Sequence, residues 1–293
     1  MCDRKETGDT VSRADKIIKT VLSDISRRKD DGIKGLPTGF SELDKMLSGL
    51  SDGNLIVVAG HPGIGTTAFA LRIAEYLGID KNIPVLYFSM ALGKERLLER
   101  MLLGRAGIDL HKARQGKLEG EDWNLLKRTA SEISKKPIYF DDTSRLTPGE
   151  LRNKVITLKS EKDIKCVIVD SLQLMRLEKK IDLHEEEFAE ISRSLKLMAL
   201  ELNVPVFLLA QLSFDLIRQE EERAKPRLAD FDEAIIAERY ADVLMLINRE
   251  GYYGYCPLDS KYTEIMITKN CNGPTGMVGL NFYEEFARFE NIS

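Results

Sequence analysis

The sequence predicts an α/β fold, in which a mostly parallel twisted sheet is flanked by helices. Short apolar runs of strand length alternate along the chain with segments whose apolar residues recur at helical spacing. Such alternation implies right-handed βαβ crossovers and therefore parallel strands. Near the C-terminus, the runs 264–268 and 277–282 flank the turn-forming segment 272–276, which predicts an antiparallel hairpin at the end of the sheet.

The composition of the 293-residue chain restricts the classes of protein to which it can belong. Apolar residues make up 43% of it, which suits one large α/β domain with a full core. The net charge of −4 argues against broad, non-specific binding to nucleic acid and leaves room for a local basic groove. No apolar run reaches about 18 residues and the N-terminus is polar, so the sequence indicates neither a membrane span nor a signal peptide.

The four cysteines show no C-x-x-C pair and no spacing typical of a metal site; they are Cys2, Cys166, Cys256 and Cys271. Cys166 lies within an apolar run and is interpreted as a small core residue. This cysteine usage predicts a reducing, cytoplasmic setting.

Residues 1–30 are predicted to be an N-terminal tail with an amphipathic linker helix, and residues 31–293 the main domain. The apolar residues at helical spacing are Ala14, Ile17, Ile18, Val21, Leu22 and Ile25. A polar break follows at 29–32. Two interpretations remain open: the apolar stripe packs on its own domain, or it docks on a neighbouring subunit.

The first strand of the main domain, 55–59, leads into a glycine-rich loop and then into a helix that runs on from Ala68. Gly60 and Gly65 have the spacing of the P-loop pattern G-x-x-x-x-G-K-[ST]. Backbone N–H groups of such a loop, together with the helix N-terminus, surround phosphate oxygens. The predicted nucleotide-binding residues are Gly60, His61, Pro62, Gly63, Ile64, Gly65, Thr66 and Thr67. The lysine that carries the main positive charge of the pattern is replaced by Thr66.

The rest of the chain continues the alternation of strands and helices. Further strands are predicted at 84–89, 138–140, 166–170, 204–210 and 242–247, with helices around 97–102, 123–133 and 188–202. Thr147 and Glu150 form a capping box with proline at the first helical position. Trp123 falls on an apolar stripe and is interpreted as a packing residue. Residues 215–227 are charged and predict a surface loop.

Two further residues, together with Thr67, complete a candidate ATP site. Asp170 ends a buried strand and Thr67 follows the loop, so they are the predicted Mg²⁺ ligands of bound ATP or ADP. Gln211 follows the strand 204–210 and is a candidate sensor of the γ-phosphate. His61 lies inside the loop, where a neutral imidazole is a poor replacement for lysine.

Several longer stretches resemble the C-terminal RecA-like motor domain of DnaB-type replicative DNA helicases. The stretches that carry the resemblance are residues 35–44, 139–148, 169–175, 190–196, 201–206 and 210–212, together with Lys269 and 272–274. The resemblance runs from about Gly32 to the C-terminus. It implies a RecA-like P-loop NTPase fold.

The resemblance also implies partners and a ring. Motor domains of this family form a hexamer around single-stranded DNA, bind ATP between neighbours, and pack the preceding helix on the adjacent subunit. A homo-oligomer, or co-assembly with an active DnaB-type helicase, is therefore expected. Because the family's N-terminal domain has no counterpart in these residues, either a fragment or a short paralogue is expected.

The sequence departs from the family pattern at the positions that the resemblance assigns to catalysis and DNA contact. Thr66 replaces the P-loop lysine, Ala91 replaces the catalytic glutamate, and Cys271 replaces the arginine finger. The DNA-contacting Arg-Glu-Ser-Gly stretch is replaced by residues 232–235, which begin with an acid, so binding of single-stranded DNA is expected to be weakened. The residues predicted to remain for catalysis are Gln211, Lys269 and Arg249. Either Lys269 or Arg249 could partly replace the missing cation.

Three functional hypotheses follow. The first is a catalytically degenerate paralogue that binds nucleotide, or joins a helicase, as a regulatory or assembly subunit. The second is an active helicase that unwinds duplex DNA 5′–3′ as a ring. The third is a structural protein without nucleotide. Fold alone does not decide among them.

Overall fold

The computed structural model describes residues 13–15, 17–19, 21–23, 34–178, 184–211, 239–249 and 261–292. Within them the strands form one nine-stranded sheet in the order β3-β2-β4-β5-β1-β6-β7-β8-β9. The strands are β1 (Leu55–Gly60), β2 (Val85–Ser89), β3 (Ile138–Asp141), β4 (Cys166–Asp170), β5 (Val206–Gln211), β6 (Val243–Asn248), β7 (Tyr262–Asn270), β8 (Gly276–Tyr283) and β9 (Arg288–Asn291).

The sheet has a parallel part and an antiparallel part. Strands β1 to β6 pair in parallel, whereas β7, β8 and β9 extend the sheet antiparallel beyond β6. The predicted α/β fold and C-terminal hairpin are thus confirmed, and β9 is a strand that the apolar pattern did not indicate. Strands β1, β2, β4 and β6 are buried along their whole length, since core clusters cover both faces of the sheet.

Helices lie on both faces of this sheet. Their bounds are α1 (Ser41–Leu47), α2 (Thr66–Glu75), α3 (Lys94–Ala106), α4 (Leu110–Arg114), α5 (Gly120–Ile133), α6 (Pro148–Lys162) and α7 (His184–Leu202). A π-helical turn, Tyr76–Asp80, continues α2. The capping box of α6 is formed as predicted: the Glu150 N–H donates to Thr147 Oγ1, and the Thr147 N–H donates to Glu150 Oε2 at 2.8 Å.

The linker helix is described in part, at residues 14, 15, 17–19 and 21–23, all of which are helical. Its apolar stripe is exposed, with Ile17 at 47%, Ile18 at 53%, Val21 at 45% and Leu22 at 60% of the maximum. The part of the stripe that the structure describes is therefore not covered by the described part of the chain's own domain.

The packing prediction for Trp123 is wrong. Its side chain is 52% exposed, and Leu125 on the same helix is 42% exposed. The periodicity of α5 correctly indicates a helix with one apolar face, but only Ile133 of that helix is buried. The predicted surface loop 215–227 and the segment 232–235 lie outside the described residues. Among the helices described, none has the length and apolar character needed to cross a bilayer.

Candidate functional site

The carboxyl ends of β1, β4 and β5 bring the predicted site residues to one end of the sheet. Gly60 of β1 pairs with Gln211 of β5, and Asp170 of β4 pairs with Leu209 of β5. Ser89, the last residue of β2, pairs with Asp170, so the turn that carries Ala91 begins at the same end. Ligands of open parallel sheets bind at this end. The P-loop, Asp170, Gln211 and Ala91 are thus brought together.

The loop between β1 and α2 has the shape of a phosphate cradle. Gly63 and Gly65 have φ values of 84° and 116°, which a side chain would strain. A Cβ on Gly60 would lie 2.6 Å from Ile64 Cγ2, and Ile64 is fully buried, so its side chain anchors the loop from below. Gly65 then caps the N-terminus of α2, whose free N–H groups favour an anion.

Asp170 lies at the centre of a hydrogen-bonded group behind this loop. Its Oδ2 atom accepts from Thr67 Oγ1 at 2.8 Å and from Tyr87 OH at 3.0 Å. Burial raises the pKa of Asp170, while these two hydrogen bonds and the charge of Arg100 lower it in part. A hydroxyl beside a carboxylate is the oxygen pair that Mg²⁺ takes with a bound nucleotide. The residues present therefore fit Mg²⁺ held by Thr67 and Asp170.

Tyr87 and Arg100 are site residues that sequence reasoning missed. Tyr87 lies in the apolar run of β2 and is fully buried, so its ring gives no sign in the sequence of a polar role. Burial and the adjacent Asp170 raise its pKa well above the usual value, which keeps the phenol a donor. Arg100 lies on α3, about 70 residues from Asp170 in sequence, and no local pattern connects the two.

The loop cation is missing from the P-loop. Thr66 is the first residue of α2, and its methyl group lies 3.2 Å from the position that a Cβ on Gly60 would take. His61 is 3% exposed, and burial lowers its pKa, so the imidazole is neutral at pH 7. Neither residue supplies the charge that a lysine brings to the phosphates.

Ala91, at the position that the resemblance assigns to the catalytic base, also lacks a carboxylate. Ala91 lies in the turn after β2, where Ser89 Oγ donates to the Leu92 carbonyl at 2.7 Å and accepts from the Leu92 N–H. The turn is held in place by these bonds and by the Met90 N–H, which donates to the Asp170 carbonyl. A methyl side chain on this ordered turn cannot take a proton.

Gln211 is held at the last position of β5. Its N–H donates to Gln173 Oε1 at 3.1 Å, and its carbonyl accepts from Gln173 Nε2 at 2.7 Å. This pair fixes the backbone of Gln211 beside Gly60 and leaves its exposed side chain available to a ligand. Gln173, on the short 3₁₀ helix after Asp170, is a further positioning residue that the sequence did not indicate.

Arg249 directly follows β6, at the same end of the sheet as the P-loop. It is 7% exposed, forms an ion pair with Glu284, and stacks over the Phe282 ring at 4.8 Å. Phe282 in turn lies against Gly65, since a Cβ there would be 3.6 Å from its ring. Arg249 is thus near the loop, with its guanidinium engaged by a carboxylate and a ring.

Lys269 and Cys271 lie at the opposite end of the sheet. Lys269 pairs with Leu244 near the start of β6, and the Cys271 N–H donates to the Asp242 carbonyl at 2.9 Å. Leu244 pairs with Val57 of β1, three residues before Gly60, which is roughly 10 Å along the strand. The structure therefore separates both residues from the P-loop of their own chain.

The whole chain is similar to proteins of one known family. The family model described as the DnaB-like helicase C terminal domain matches residues 35–291. Replicative DNA helicase DnaB of Geobacillus stearothermophilus is 36% identical over 291 residues, which cover 99% of this chain and 64% of that protein. Replicative DNA helicase DnaC of Bacillus subtilis (strain 168) is also 36% identical, over 100% of this chain and 64% of that protein. The chain thus spans just under two thirds of the length of these relatives.

Two solved structures are similar over nearly the whole chain. One is an isolated ATPase domain, which superposes with a TM-score of 0.89 at 31% identity, covering 97% of this chain and 100% of that one. The other is a DnaB-like replicative helicase, whose interactions with primase were studied. It superposes with a TM-score of 0.85 at 31% identity, covering 98% of this chain and 69% of that one.

Proposed function

This chain belongs to the family of DnaB-like helicase C-terminal domains, and from that membership we propose a role in DNA replication. In this proposal residues 31–293 are the motor-like domain and residues 1–30 its linker. The protein binds ATP or ADP with Mg²⁺ weakly, hydrolyses it poorly or not at all, and acts as a nucleotide-binding or helicase-associated regulatory or assembly subunit. A cytoplasmic setting is part of the same proposal.

One observation supports the proposal: the predicted Mg²⁺ ligands lie together, while the residues predicted to replace the loop cation and the base carry no charge. Thr67 Oγ1 and Asp170 Oδ2 are 2.8 Å apart, and the loop keeps two glycines at positive φ. Thr66 and Ala91 occupy the two positions where charge is needed. General-base assistance accounts for about 10²–10⁴ in rate, so its loss alone leaves little turnover. The loop still offers backbone donors to phosphates.

The proposed assembly rests on two other features. The exposed apolar stripe of the linker helix needs a partner surface, and a second subunit can supply it. Lys269 and Cys271 lie far from their own P-loop, a position from which they can face the site of a neighbouring chain. We therefore propose a homo-oligomer or co-assembly with an active DnaB-type helicase. Binding of single-stranded DNA is proposed to be weak, given the acid at the start of residues 232–235.

An active ATP-dependent replicative helicase is the second candidate. The observation that favours it is the placement of Gln211 beside Gly60, together with the Thr67–Asp170 pair, as a working P-loop site requires. It needs another cation to replace the lysine.

The decisive experiment measures nucleotide binding and hydrolysis on the full chain. We expect Mg²⁺-dependent binding of a fluorescent ATP analogue with a turnover rate no higher than that of Asp170→Ala, measured at high protein concentration so that assemblies form. Asp170→Ala removes the acid of the site and serves as the matched background.

Each other outcome identifies a different function. Turnover that exceeds the Asp170→Ala background contradicts the degenerate site and supports the active helicase. An absence of nucleotide binding, with assembly intact by sedimentation, supports the structural protein and removes nucleotide from the proposal.

A further inference from the structure

A cavity of about 470 Å³ opens between α3 and α4, beside the P-loop site, with which it shares Arg100. Its walls are Arg96, Glu99 and Arg100 of α3 and Leu110 and Arg114 of α4. Three guanidinium groups therefore surround one space with a single carboxylate among them. We call this cavity the arginine pocket.

The arginines of this pocket lack a directly bonded counterion among the described residues. In that part of the structure, Arg96, Arg100 and Arg114 form neither an ion pair nor a hydrogen bond through their side chains. Arg105 on the same helix differs, because it contacts the carboxylates of both Glu75 and Glu132.

The charges of the pocket also repel one another. Burial lowers the pKa of Arg100, and the nearby charges of Arg114 and Arg96 lower it further, against the opposing effect of Asp170. Like charges held around a concave space create a field that an anion relieves.

We propose that the arginine pocket binds one or two phosphate groups of an anionic ligand. Guanidinium groups match phosphate oxygens in bidentate geometry, and three of them can engage a diphosphate. The apolar Leu110 adds a wall that suits the less polar part of such a ligand. The phosphate belongs either to a free nucleotide or diphosphate, or to the backbone of a nucleic-acid strand.

The pocket is connected to the P-loop site through Arg100. This residue also lines a small gap beside Ala68 and Leu71 of α2, and its positive charge lowers the pKa of Asp170. A phosphate bound to Arg100 would compete with Asp170 for that charge. The inference goes beyond the proposed function, because it does not require the P-loop to bind nucleotide.

The test is calorimetric titration of the full chain with pyrophosphate, without Mg²⁺ and at fixed ionic strength. We expect wild type to bind, and Arg114→Gln and Arg100→Gln to weaken binding about tenfold or more, since each loses a hydrogen bond between charged groups. Glu99→Gln should tighten binding because it removes the one acid of the pocket. Arg128→Gln, at an exposed arginine on α5, is the control and should bind as wild type does.

Thr67→Ala separates the pocket from the P-loop. Binding that persists in Thr67→Ala and is weakened in Arg114→Gln places the phosphate in the arginine pocket. Loss of binding in Thr67→Ala, equal binding in Arg114→Gln and wild type, or no binding to wild type would each overturn the proposal. Because Arg114 is exposed, its substitution is not expected to affect folding, which a thermal melt checks.

A competition assay then identifies the source of the phosphate. Displacement of pyrophosphate by a 12-nucleotide oligo(dT) indicates the backbone of a nucleic-acid strand. Retention of pyrophosphate in the presence of the oligonucleotide indicates a free phosphate ligand. Both results support a phosphate site, and nucleotide turnover measured separately tests the proposed function.

Discussion

Asp170 has a carboxylate that its surroundings only partly stabilise. Burial disfavours its charge, while Thr67, Tyr87 and the charge of Arg100 support it. Thr67, Tyr87 and Arg100 lie on elements that are distant from Asp170 in sequence. The sequence therefore predicts that Asp170 ends a strand but does not reveal these contacts. The balance is typical of functional sites, where a charge is kept at a cost to stability.

We expect Asp170→Asn to raise the free energy of unfolding at pH 7 by about 1 kcal/mol. The pKa of Asp170 is higher in the folded than in the unfolded chain, where it is near 3.8, so the folded chain holds its proton more tightly. The charge of Asp170 therefore costs no stability below the pKa that the residue has in the unfolded chain. The cost develops as the pH rises from there through the higher pKa of the folded chain. Asparagine removes it and still accepts from Thr67 and Tyr87.

Urea denaturation of wild type and Asp170→Asn from about pH 3.5 to 8 measures this effect. The gain in stability should grow with pH over the lower part of that range. Asp52→Asn, at an exposed site, is the control and should change stability little. A gain that is constant with pH would show that the charge of Asp170 is not its cause.

Elements with a strong local pattern were predicted, and elements without one were not. All the predicted strands occur, because each is an apolar run that packs into the sheet. The elements that the sequence did not indicate are α1, α4 and β9, with seven, five and four residues, which show neither an apolar run nor enough residues for a helical period. The apolar face of α5 was predicted, but its exposure depends on what covers it, which no local pattern contains.

The capping box of α6 gives a prediction for a single element. Thr147→Ala should lower the free energy of unfolding by about 1 kcal/mol, because the Glu150 N–H loses its acceptor. Thr147→Ser should retain most of the stability that the cap contributes, because serine keeps the hydroxyl acceptor. Thr157→Ala, in the exposed interior of the same helix, should be neutral or slightly stabilising. Equal effects of the two alanine variants in chemical denaturation would contradict the role of the cap.

The whole molecule places its site residues in two groups at opposite ends of the sheet. Thr67, Asp170 and Gln211 could be predicted to meet, since parallel strands end at the same side of a sheet. The positions of Arg249 and Lys269 could not be predicted. They depend on β6 lying beside β1 and β7 beside β6, an order of strands that the sequence does not reveal. Their assignment as substitute cations stays a prediction.

The linker helix gives a prediction for assembly. Replacing Ile18 and Leu22 together by glutamine should shift the sedimentation profile toward smaller species, because the stripe loses apolar surface while the helix keeps a good helix former. Lys19→Gln, on the same helix, is the matched control. An unchanged profile for the double variant, with the control also unchanged, would exclude the stripe as a contact between subunits.

The separation of Lys269 and Cys271 from the P-loop determines how the inhibition of a mixed ring would depend on the number of copies of this chain in it. In the assembly that we propose, a subunit with this layout presents its loop to one neighbour and its hairpin turn to the other. If it joins a ring of active subunits, it brings Thr66 and Ala91 to one shared site and Cys271 to the next. One copy then silences two catalytic interfaces, so the inhibition of a mixed population would rise about twice as steeply as the fraction of copies inserted.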